Sequence, residues 1–61
     1  MELLKILILE DVDDDAQLIL RYLKREYDFK HLWVDNESDF IKGIHEFKPD
    51  LILSDFMLPG F

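Results

Sequence analysis

There is no cysteine in these 61 residues, so neither a disulfide nor a thiolate metal site can hold the fold together. Basic residues are few and scattered: seven Lys and Arg stand against fourteen Asp and Glu, a net charge of −7. No run of Lys or Arg is present to neutralise phosphates, which excludes a nucleic-acid interface on this segment. Long apolar runs are missing too. The N-terminal stretch is broken by Glu2 and Lys5 and stops at Glu10, too short for a secretory signal. Nothing approaches the roughly 18 apolar residues of a membrane span, so a soluble, cytoplasmic setting without membrane contact is the expectation. Glycine and proline number two each, and neither a low-complexity linker nor an internal repeat is visible.

What is present is globular in character, with 49% hydrophobic and 13% aromatic residues. A chain of this size forms one small domain, burying only about 60% of its unfolded surface. The pattern reads strand, helix, strand, helix, strand. Lys5–Leu9 is a continuous apolar run, as in a strand buried on both faces of a parallel sheet, and the strand is placed at about 4–9. Asp13, Asp14 and Asp15 then supply an N-cap and an acidic first turn. Ala16, Ile19, Leu20, Leu23 and Tyr27 form one stripe of an amphipathic helix over about 14–27. A second strand is expected over 29–34. Asn36 caps a second helix over about 37–47, with Asp39 in the manner of a capping box. Its apolar stripe is Phe40, Ile41, Ile44 and Phe47, and Gly43 inside it costs up to about 1 kcal/mol relative to alanine. Lys48-Pro49-Asp50 ends that helix and opens a third strand over 51–54.

Alternating strands and helices predict an α/β fold: a βαβαβ half of a doubly wound, flavodoxin-like parallel sheet with strand order 2-1-3. The first and third strands are then neighbours, and the acids that follow them, Glu10-Asp11 and Asp55, converge at the rim where open α/β sheets bind ligands. Carboxylates gathered there suit a divalent cation, and the cation makes a phosphoryl group tolerable beside them. Asp13, Asp14 and Asp15 read as capping and dipole-matched acids rather than ligands. His31 and His45 read as surface residues, Trp33 as packing, and Tyr22 as surface cover. The third strand has a free apolar edge, which predicts self-association of the chain.

Lys5-Ile6-Leu7-Ile8-Leu9-Glu10-Asp11, then Lys48-Pro49-Asp50-Leu51-Ile52-Leu53-Ser54-Asp55 and Met57-Leu58-Pro59-Gly60, resemble the first half of a response-regulator receiver domain. The resemblance covers essentially the whole chain. Its specific part is joint: an acidic pair after strand one, an aspartate after strand three, and a proline four residues later. It implies a module of two-component signal transduction in which Asp55 accepts a phosphoryl group from a histidine kinase or phosphotransfer protein. It further implies Mg2+ held by Glu10, Asp11, Asp55 and the backbone carbonyl of Met57. Glu10 departs from the commoner aspartate, adding one methylene at the same charge. The Ser or Thr and the Lys that such domains carry after strands four and five have no counterpart here. The chain is therefore expected to be a truncated receiver, not itself an enzyme, from a response regulator or a hybrid or sensor histidine kinase.

Three other readings compete. A dehalogenase-type aspartyl-phosphate hydrolase wants a second Asp two residues after the nucleophile, and Met57 stands there. A phosphorylation-independent interaction domain of the same fold would not need the acids. A dinucleotide-binding fold is disfavoured because neither strand-helix turn carries G-x-G-x-x-G.

Overall fold

β1 (Leu4–Leu9) is the middle strand of a three-stranded parallel sheet, flanked by β2 (Phe29–Val34) and β3 (Leu51–Ser54). This computed structural model describes residues 3–54. The central place of β1 follows from its composition. Ile6, Leu7 and Ile8 are fully buried, and a strand covered on both faces has no use for polar alternation. Each such side chain contributes about 1.5–3 kcal/mol by leaving water.

The two faces of β1 seed two apolar clusters. Ile6 and Ile8 pack with Leu20 and Leu23 of α1 (Asp13–Glu26), and Ile19, Phe29, Trp33 and Leu53 close around them. Leu7 and Leu9 pack with Val34, Leu32 and Phe40, the last from α2 (Glu37–Phe47). The helices therefore lie on opposite faces. α1 carries the chain outward from β1 to β2, and α2 carries it back past β1 to β3. Reversing both the direction of travel and the helix face gives the two crossovers one hand, as parallel sheets require. The predicted α/β class and the strand order β2-β1-β3 are what the structure has.

The helix details depart from the sequence reading. α1 has Val12, not an aspartate, at its N-cap, with no side-chain cap bond, so Asp13, Asp14 and Asp15 all sit inside the first turn. There they face the positive end of the helix dipole. Tyr27 does not extend the buried stripe: the helix ends at Glu26, and Tyr27 turns extended (φ −139°, ψ 151°) and is 56% exposed. On α2 the sheet-facing residues are Phe40, Gly43 and Phe47, while Ile41 and Ile44 remain exposed. Gly43 is the reason. A Cβ there would stand 3.0 Å from Leu32 Cδ2 and 3.1 Å from Leu7 Cδ1, so its lack of a side chain lets the helix lie close on the sheet.

Asn36 caps α2 as predicted, its Oδ1 accepting from the Asp39 N–H at 2.8 Å. Asp39 answers through its side chain, accepting from Asn36 Nδ2 at 2.9 Å rather than from the Asn36 backbone. Lys48 ends the helix in the left-handed region (φ 53°, ψ 63°). Asp50 then exchanges two bonds with Lys5. Its N–H donates to the Lys5 carbonyl at 2.8 Å, and its Oδ2 accepts the Lys5 N–H at 2.9 Å. That pair sets the β1–β3 register one step before Ile6 meets Leu51.

Candidate functional site at the C-terminal rim of the sheet

β1 and β3 run parallel and end level, with Leu9 opposite Ser54. Glu10 and Asp11 continue from the first of these strand ends, and Asp55 is next in sequence after the second. Asp55 and Met57 lie outside the described residues, so of the four predicted metal ligands only Glu10 and Asp11 can be located. Among the described residues, no group of three His, Cys, Asp or Glu side chains is placed to hold a metal ion.

Glu10 is only 5% exposed, an unusual setting for a carboxylate, and three contacts explain how it is kept there. Its backbone N–H continues the sheet ladder, donating to the Val34 carbonyl at 3.0 Å. Its own carbonyl accepts the indole N–H of Trp33 at 2.8 Å. Its Oε1 accepts the Val12 N–H at 3.1 Å, folding the side chain over the turn into α1. A buried polar group needs partners, and Glu10 finds them on β2 and on the following turn. Asp11, by contrast, is exposed in the bend between strand and helix.

The rim opens into a cleft of about 470 Å³, walled by Leu9, Glu10, Leu53 and Ser54 from the strands and by Asp15, Leu18 and Ile19 from α1. Two acids, Glu10 and Asp15, share that lining with four apolar side chains and Ser54. Asp13, Asp14 and Asp15 sit in the first turn of α1 and suit its dipole, though none of them caps the helix. His31 and His45 are exposed, and Tyr22 is too, as the sequence suggests.

The sequence expects Trp33 to be a packing residue, and it does pack against the Ile6–Ile8 cluster. Its bond to the Glu10 carbonyl goes beyond that packing role. The signal was nonetheless present. A half-buried Trp seeks an acceptor for its N–H, and Trp33 pairs with Ile8 in register, two residues before Glu10.

No protein-family model, no curated protein and no solved structure matches the chain. The chain has an α/β fold with a three-stranded parallel sheet, compatible with part of a flavodoxin-like architecture. Among the described residues, no helix is long and apolar enough to cross a membrane.

Proposed function

We propose that this chain carries the phosphoacceptor portion of a receiver-type signalling module, with Asp55 taking a phosphoryl group from a histidine kinase or phosphotransfer protein. The observation that supports the reading is the level, adjacent ending of β1 and β3, Leu9 opposite Ser54. That register makes neighbours of the strand ends from which the acidic pair and Asp55 continue. Crevices outside the carboxyl ends of parallel strands are the ligand sites of open α/β sheets.

The donor set present at the rim is two consecutive carboxylates, Glu10 buried and Asp11 exposed. All-oxygen donors fit a hard divalent ion such as Mg2+. When bound, such an ion offsets the charge that spreads over the phosphoryl oxygens during transfer. In this reading Asp11, in the open bend, is the direct ligand. Glu10 keeps one oxygen on the Val12 N–H and holds the turn. Asp55 supplies the acceptor oxygen and Met57 a backbone carbonyl.

The test is labelling of the full-length gene product with a small phosphodonor and Mg2+, read by intact mass. Wild type is expected to gain one phosphoryl group, and Asp55→Asn to gain none. Normal labelling of Asp55→Asn would show that the acceptor lies elsewhere. A phosphorylation-independent interaction module of the same fold would label in neither form.

A further inference from the structure

The bond from the Trp33 indole to the Glu10 carbonyl is a feature the proposed chemistry leaves unused. We infer that Trp33 is a positioning residue: its indole N–H fixes the turn that presents Glu10 and Asp11 at the rim. The inference rests on the metal-site reading above only in its final step. β1 ends at Leu9, and its ladder to β2 makes one more bond, from the Glu10 N–H to the Val34 carbonyl. Beyond that bond the backbone must leave the sheet and enter α1, and the Glu10 carbonyl is the first acceptor past the ladder. The Trp33 Nε1 meets it at 2.8 Å.

The ring that delivers this donor is itself anchored. Trp33 stands opposite Ile8 and packs on the cluster of Ile6, Ile8, Leu20 and Leu23. The donor is therefore carried by the core, not by a surface side chain free to rotate. On the other side of the same peptide, the Glu10 carboxylate accepts from Val12. With its N–H, carbonyl and side chain all engaged, Glu10 leaves little freedom in the bend at Asp11. Groups that orient a ligand residue from behind change metal affinity about 10–100-fold when removed.

The experiment removes one N–H and nothing else. Replacing the Trp33 indole by its benzothiophene isostere, through chemical synthesis of the chain, keeps the ring and its packing but deletes the donor. Trp33→Phe, made genetically, is the second variant. Two readouts are taken. In metal-free buffer, hydrogen exchange at the Val12 amide is expected to quicken about fivefold in the isostere, the scale of one lost neutral hydrogen bond. In a Mn2+ titration the isostere is expected to bind about tenfold more weakly than wild type.

Unchanged exchange in both variants would overturn the positioning role outright. Faster exchange with unchanged Mn2+ affinity would overturn its link to the metal. Faster exchange in a wild-type background that binds no Mn2+ would uphold Trp33 as the brace of this turn while removing the metal reading itself.

Discussion

Gly43 shows how a single absent side chain sets a distance between two layers. In the sequence it looks like a weak point, since glycine inside a helix costs up to about 1 kcal/mol relative to alanine. In the structure it is buried between Leu32 and Leu7. The two effects compete in Gly43→Ala. Better helix propensity contributes about 1 kcal/mol, and forcing a methyl into a packed interface costs about 1–3 kcal/mol. Both close contacts are to side-chain methyls, Leu32 of β2 at 3.0 Å and the fully buried Leu7 of β1 at 3.1 Å, which can yield by tenths of an ångström but are held in a packed layer. The net expectation is a loss of about 1 kcal/mol, the middle of the overpacking range offset in part by propensity. Urea denaturation followed by circular dichroism measures it, and a stabilised variant would mean the layers separate freely. Nothing in a 3.6-residue period reveals this, because periodicity assigns a face but not the gap across it.

At the scale of elements, the sequence was most informative where a local rule operates. The apolar run of β1 and the Asn36 cap of α2 depend on neighbours in the chain, and both are where the pattern puts them. It was less informative where the outcome depends on distant residues. Tyr27 keeps the right spacing for α1, yet the helix stops one residue before it. Ile41 and Ile44 lie in the apolar stripe of α2, yet Gly43 takes the place against the sheet. The candidate site divides the same way. The acidic pair is legible as the end of an apolar run, whereas the Trp33 brace crosses 23 residues of sequence.

The cap gives the prediction at this scale. Asn36→Ala removes the acceptor of the Asp39 N–H and the donor to its carboxylate. It is expected to cost about 1 kcal/mol, the usual scale for a lost N-cap. Amide exchange in the first turn of α2 is expected to rise with it. Protection loss spread evenly over the sheet instead would mean that α2 does not open as a separate unit.

For the molecule as a whole, charge is the term that connects stability to the candidate site. A net charge of −7 on 61 residues opposes the folded state through self-repulsion, and five of the acids, Glu10, Asp11, Asp13, Asp14 and Asp15, fall within six positions. Any salt should therefore raise the melting temperature by screening. A cation held by specific carboxylates adds a second effect, because a ligand bound only by the folded chain stabilises it by mass action. At ten times its dissociation constant that addition is about 1.4 kcal/mol. Melts in NaCl and MgCl2 at matched ionic strength separate the two. The expectation is a larger rise with Mg2+ than with Na+, and loss of that excess, but not of the common salt response, in Asp11→Asn. Equal rises in the two salts would reduce the acidic rim to ordinary surface charge. An excess that survives in Asp11→Asn would move the cation to other carboxylates, with Asp15, which lines the same cleft as Glu10, the first to substitute.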